Sequence, residues 1–353
     1  MTPGLPLHSA DPALSANLYC DHHLDALLQQ AIAPFWSELR EDGHLRHAAL
    51  WFTRYTRRGE HLKLRLHLPV ERVPWARERL EAAAARFFGS LKDVPLPERN
   101  PPSFAPPIDV EDQPTTNAPD RSLLWTTFRR SPVVLGTERY LQDSRHAGLF
   151  AQALSASAEV VLTQLMPEVP RPTYARKRQS LLIQMLIAAL GETAFTAAQW
   201  QAYLEYHHGW LLRHLLSNKE SSTFTRESIL AEFDQRALQM QPAIDALSAT
   251  MAVELKQGPG SVPPDHELSD WRTSVRAFFQ HAATYRGHAD YDVDPYTGDF
   301  AFLPLFKLLH GCANQFGFRV NNELYTHHLL LLAARKLTST EHGAGFAVSG
   351  ECP

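Results

Sequence analysis

The sequence predicts an α+β fold, a small antiparallel sheet built early in the chain and packed with a largely helical C-terminal part. Three observations carry this reading. Hydrophobic patterns between Asn17 and Phe128 follow the order strand, helix, strand, strand, helix, strand; every pattern after about Thr137 has the helical period; and Pro- and Gly-rich breakers separate the segments. With 353 residues, 44% of them apolar and 20% charged, the chain is long enough for a sizeable core, and its composition excludes wholesale disorder, a collagen-like repeat or a long coiled coil.

Asn17 to Tyr19 reads as a short strand. From Leu24 to Leu39, Leu24, Leu27, Leu28, Ile32, Phe35 and Trp36 recur on one helical stripe, with Pro34 placed to kink it. Ala48 to Tyr55 is an apolar, aromatic strand, and the glycine turn Thr56 to Glu60 leads into His61-Leu62-Lys63-Leu64-Arg65-Leu66-His67-Leu68. That alternation is strict, so a period of two puts the leucines on a buried face and His61, Lys63, Arg65 and His67 on the opposite one. Val70 to Leu91 is an alanine-rich amphipathic helix. A Pro-rich stretch, Val94 to Pro119, follows as a loop, and Leu123 to Phe128 closes the series as a strand. This order is the ferredoxin-like split βαβ arrangement, with both helices on one sheet face and the other face free to bind.

Helical patterns then cover Thr137 to Leu165, Tyr174 to Leu190, Thr196 to Leu216, Thr225 to Leu255, Leu268 to Tyr285, Phe300 to Phe316 and Asn321 to Leu337. Thr196 with Gln199, and Thr225 with Ser228, stand where N-caps belong. The predicted organisation is a ferredoxin-like part at 1–130 containing the loop 94–119, a mostly helical part at 131–337 of the same unit, and a disordered tail at 338–353.

Lys+Arg 34 against Asp+Glu 38 leaves a net charge of −4, which gives no general attraction to phosphate backbones, so nucleic acid is not the expected partner. Cys20, Cys312 and Cys352 form no CxxC pair, which suits a reducing, cytoplasmic setting. The stretches Leu181 to Leu190 and Leu329 to Ala334 are too short to cross a bilayer, and Met1 to Pro12 lacks the apolar run of a signal peptide, so no membrane is expected. Phosphate-loop motifs, a GxSxG elbow and HExxH are all missing from the sequence.

Histidine is the unusual entry, with 18. The pairs His22-His23, His207-His208 and His327-His328 resemble metal ligands, but adjacent residues on a helix diverge by about 100° and cannot chelate together. A metal site would have to be assembled from distant segments, and none is predicted. Asp290, Asp292, Asp294 and Asp299 lack the central Gly and terminal Glu of a calcium loop. The strongest local signal is Lys63 with Arg65 on one sheet face between His61 and His67, a set of cationic donors suited to a carboxylate or amide oxygen; the alternative is a solvated edge strand whose charges deter aggregation. Tyr174 to Arg178 and Trp200 to His214 place polar groups among apolar ones, as either an amphipathic surface or a catalytic wall.

Taken together, Leu18-Tyr19 with Leu24-Asp25, Trp51-Phe52-Thr53-Arg54-Tyr55 with Gly59-Glu60-His61-Leu62-Lys63-Leu64-Arg65, and Leu305-Phe306 through His310 to Asn314-Gln315-Phe316-Gly317 form a recognisable order. From about Asn17 to Leu337 the chain resembles the lantibiotic dehydratase C-terminal, or thiopeptide-type bacteriocin biosynthesis, family, which implies a fold similar to the elimination domain of lantibiotic dehydratases. One branch of that family eliminates glutamate from glutamylated Ser or Thr of a precursor peptide; non-catalytic leader-binding paralogues are a further possibility. The eliminase pattern has Arg at both hairpin cations, Gly-Gly after Glu-Arg-Tyr, and Arg after the late Asn. Here the corresponding residues are Lys63, Leu141-Gln142 and Gln315. Phe128-Arg129-Arg130-Ser131-Pro132-Val133-Val134-Leu135-Gly136 is more similar to the other branch, the stand-alone thiopeptide pyridine synthases.

That branch implies a formal [4+2] cycloaddition between two dehydroalanines, with loss of water and of the leader peptide, and no cofactor. The partners implied are a precursor peptide with its leader and other enzymes of the same pathway. The resemblance makes Ser131, Tyr174, Tyr206 and His310 the candidate catalytic residues, and His61, Lys63, Arg65, Arg130 and Asn314 the candidates for substrate and leader binding.

Overall fold

The computed structural model of the chain describes residues 14–20, 22–41, 48–55, 60–94, 121–126, 144–169, 171–217, 225–261, 266–284 and 302–345. It forms two compact units, one of residues 1–178, 284–292 and 310–317, the other of residues 179–283, 293–309 and 318–353.

The first unit contains β1 (Leu14–Tyr19), α1 (Leu24–Leu27), a π-helical stretch (Leu28–Ile32), α2 (Ala33–Glu41), β2 (Ala49–Tyr55), β3 (His61–His67), α3 (Val73–Ser90) and β4 (Ser122–Trp125). The four strands form one antiparallel sheet in the order β2-β3-β1-β4, the ferredoxin-like arrangement. Leu14, Ala16, Leu18, Leu50, Phe52, Leu62, Leu64 and Leu66 are all buried, as the period-two pattern requires. α3 packs on β1 and β4. The widened helical turn lies just ahead of Pro34, which has no N–H to continue the ladder, so the expected irregularity is present.

One part of the hairpin expectation is corrected. β3 is a central strand, paired to both β1 and β2, so the edge-strand alternative does not hold. His61, Lys63 and His67 are buried and Arg65 is half-buried, so these side chains do not stand free on an open face. The cause is lateral packing: register sets Tyr19 and Tyr55 on either side of His61, and both rings stack on the imidazole at 4.7 and 5.3 Å.

α4 (Ser144–Val160) lies beside β2, and the Leu50 amide donates to Ser155 Oγ at 3.0 Å. Arg145–Glu168 is long and apolar enough to cross a membrane by length and composition, a longer stretch than those singled out in the sequence, yet 61% of its apolar window is buried in the fold, as in a core helix. The Pro-rich loop 94–119 lies outside the described residues apart from Val94, and so do Arg130, Ser131 and the aspartate loop. Cys20 and Cys312 are buried and neither is in a disulfide.

Later helices are α5 (Tyr174–Gly191), α6 (Ala197–Ser217), α7 (Arg226–Gln239), α8 (Gln241–Gln257), α9 (Ser269–Ala283), α10 (Phe302–Gln315) and α11 (Val320–Gly345). Two expectations change. The pattern Thr225 to Leu255 is two helices, parted at Met240 with Pro242 opening the second. The last helix runs on to Gly345, so the tail is helical for its first residues rather than disordered from Thr338. Both N-caps are present: Thr196 exchanges bonds with Gln199, and Thr225 and Ser228 form a capping box. In the second unit α6 packs on α11 around Leu211, Leu212, Ile229, Phe233 and Leu324. Buried Arg272 is held between Glu254 and Glu192, which also receives Arg276 Nε at 2.7 Å.

Candidate functional site

In the first unit, β2 ends on a charged group. By strand alternation Arg54 follows Leu50 and Phe52 onto the apolar side of the sheet, where an arginine must find partners. It finds them at the end of α10. The Arg54 amide donates to Asn314 Oδ1 at 2.7 Å and its carbonyl accepts from Asn314 Nδ2 at 2.9 Å, so one carboxamide clamps this backbone position on both sides. Arg54 Nε donates to the Gln315 carbonyl at 3.0 Å, one of the carbonyls a helix end leaves without an intrahelical donor. Gly317, at φ +77°, ends the segment, and a Cβ there would lie 2.9 Å from Arg54 Nη1, so glycine is required twice over.

The outer end of the guanidinium meets α1. Arg54 Nη1 pairs with Asp25 Oδ1 at 2.5 Å, the aspartate being in a helical first turn where a negative charge is favoured. Burial works to raise the Asp25 pKa, but the Arg54 charge and hydrogen bond outweigh it and hold the carboxyl below its ordinary value. Tyr174, at the start of α5, turns its hydroxyl toward the same carboxylate without reaching hydrogen-bond geometry. Burial and the Asp25 charge push that hydroxyl up to about 12, so it stays protonated and is a donor at neutral pH. Arg178, one turn on, places its guanidinium 5.4 Å from the Tyr174 ring.

Two buried polar atoms here, Arg54 Nη2 and Tyr174 Oη, have no hydrogen-bond partner among the described residues. Asp25 retains 31% side-chain exposure, so the cluster reaches the surface on that side. The arrangement offers a cationic and a neutral donor to a carbonyl-type oxygen, beside a carboxylate able to accept a proton.

Of the residues expected at a site, Tyr174 and Asn314 are brought together around Arg54. Asn314 is committed to the Arg54 backbone, which makes it a positioning residue. His310, half-buried, lies one turn before Asn314 on α10. His61, Lys63 and Arg65 alternate with the strand onto the face opposite Arg54. There the Lys63 ammonium sits 3.9 Å from the Tyr55 ring centre, and burial lowers the Arg65 pKa to about 10. Tyr206 belongs to the second unit and packs against Phe302 and Phe306. Asp25, Arg54 and Gly317 were not among the expected site residues, although all three lie within the segments that carry the family resemblance.

A split βαβ sheet followed by helices is an architecture shared with known proteins. Residues 14–334 match the family described as lantibiotic biosynthesis dehydratase, C-terminal, and the chain belongs to that family. Several solved structures share the fold, three of them as follows. The pyridine synthase TbtD from thiomuracin biosynthesis aligns with TM-score 0.61 and 14% identity over 93% of this chain and 99% of its own. TsrL aligns with TM-score 0.57 and 14% identity over 94% and 96%. The tRNA-dependent lantibiotic dehydratase MibB from Microbispora sp. 107891 aligns with TM-score 0.54 and 16% identity over 93% of this chain but 28% of its own. No curated protein matches the sequence.

Proposed function

We propose that this chain is a cytoplasmic, cofactor-independent pyridine synthase that matures a ribosomally made precursor peptide. The amide beside one dehydroalanine shifts a proton from nitrogen to oxygen, and the resulting 2-azadiene forms two C–C bonds to the alkene of a second dehydroalanine. The six-membered ring then expels the former amide oxygen as water and the leader as its carboxamide, which leaves a pyridine. Atoms and electrons balance without an oxidant or reductant.

The observation that carries this reading is the pair of buried donors Arg54 Nη2 and Tyr174 Oη beside Asp25, neither with a hydrogen-bond partner among the described residues. They suit the oxygen of an amide passing to its iminol: Arg54 stabilises charge on oxygen, protonated Tyr174 shares a proton with it, and Asp25 receives the proton leaving nitrogen. Holding two alkenes in reacting geometry contributes on the order of 7–11 kcal/mol in addition. The cationic row His61, Lys63 and Arg65, with Arg130, is assigned to the leader and its acidic groups; Ser131, His310 and Tyr206 remain candidates for the dehydration steps. Likeness in fold to the pyridine synthase TbtD supports the same reading.

Incubating the purified chain with a synthetic dehydrated, azole-containing peptide tests it by mass spectrometry. A macrocycle appearing with intact leader carboxamide is the expected result. Loss of glutamate from a glutamylated peptide, or binding with no mass change, would replace this reading with the eliminase or the paralogue.

A further inference from the structure

The second unit brings together residues from two of the His-His pairs, in a way that adjacent histidines cannot achieve alone. Glu323 and His327 stand four residues apart on one face of α11, and His207 faces them from α6. One ligand atom from each lies within 4.8 Å of the others. All three side chains are buried, at 1%, 0% and 0% exposure for Glu323, His327 and His207. His207 Nε2 is 3.3 Å from Glu323 Oε1, close to the edge of about 3.4 Å that a tetrahedron with zinc bond lengths has. His207 Nδ1 lies 3.0 Å from the Tyr203 hydroxyl, so a donor bond to that oxygen leaves Nε2 with its lone pair directed at the cluster. The His327 ring packs 3.7 Å from that of His207, and Phe306 closes one side at 4.6 Å.

We infer that His207, Glu323 and His327 form a binding site for a divalent transition ion of the zinc type, holding α6 to α11. Two neutral imidazoles and a carboxylate are a zinc-type donor set with one position left for water. The ion would take the place of the His207 Nε2–Glu323 Oε1 contact and carry the positive charge that a buried carboxylate favours. Aromatic rings close the site in, and the inference is independent of the proposed reaction.

The test uses full-length, tag-free protein stripped with chelator, with Zn2+ and Co2+ as probes. One equivalent of Co2+ should give the visible absorption of a tetrahedral centre, and Zn2+ should raise the Tm. Both effects should be lost in Glu323→Gln and His327→Gln and retained in His208→Gln, which alters a neighbouring histidine outside the set. Where a variant does not fold, X-ray absorption of the Zn2+-loaded wild type decides: imidazole and carboxylate ligation supports the site, and thiolate or water-only ligation overturns it. A Tm indifferent to Zn2+ with no Co2+ spectrum, or an unchanged spectrum in His327→Gln, also overturns it.

Discussion

Arg54 is fixed from its backbone outward, by Asn314 at the main chain, the Gln315 carbonyl at Nε and Asp25 at Nη1. Each contact constrains a different atom, so the guanidinium has little freedom when a substrate oxygen arrives, the condition under which a donor stabilises charge without reorganising. Gly317→Ala should disturb this without touching any reacting group. The substitution combines a left-handed φ with a Cβ 2.9 Å from Arg54 Nη1, and about 1–3 kcal/mol of stability should be lost, read as a fall in denaturation midpoint together with reduced turnover. Normal stability in that variant would show that the glycine does not brace the arginine. The Tyr174 hydroxyl, raised to about 12, should contribute no alkaline limb to the pH–rate profile below pH 11. Asp25 works in the other direction: its folded pKa lies below the ordinary 3.8, so the stability it provides is present above that value and is lost as pH falls through the folded one.

At the scale of elements, β3 shows how a correct pattern can carry a wrong environment. Alternation assigned its leucines to the core, but it contains no information about neighbours, and pairing on both sides encloses Lys63 in a central strand. A binding contribution from buried cations is screened weakly, so Lys63→Ala and Arg65→Ala should reduce leader affinity by an amount that depends little on salt, measured by fluorescence anisotropy across ionic strengths. Equal affinity in the variants would remove both residues from the binding surface. The facing pair His208 and His328, on α6 and α11, gives a pH prediction. Burial lowers the His208 pKa to about 4 from 6.5, and His328 shifts the same way. The unfolded chain then takes up protons that the folded chain refuses, so stability is full above about pH 6.5, falls toward pH 4, and loses nothing more to this group below that. His208 alone accounts for about 3 kcal/mol of that fall. His208→Gln should flatten the dependence of denaturation midpoint on pH in this window, and an unchanged slope would place the acid sensitivity elsewhere.

For the whole molecule, the order of elements was legible because each strand and helix writes its period into a short stretch of chain; the sheet order then follows from the split βαβ rule. The break at Met240 was missed because the apolar stripe continues across Pro242, although that proline, like Pro34, marks a lost backbone donor in the sequence itself. The Arg54 cluster was hidden for a different reason. Arg54 and Asn314 are separated by 260 positions, and neither residue's local pattern signals that the two meet. Arg54 reads as one more polar residue at the end of a strand, and Gly317 as a helix stop. The resemblance marked their segments without assigning their contacts. The proposed chemistry is centred on this cluster, and its most direct test is the turnover of Tyr174→Phe on the dehydrated peptide, measured beside its Tm and leader affinity. We predict that kcat and kcat/KM fall together by about 10²–10⁴-fold while stability and leader binding stay near wild type; wild-type turnover in that variant would contradict the account.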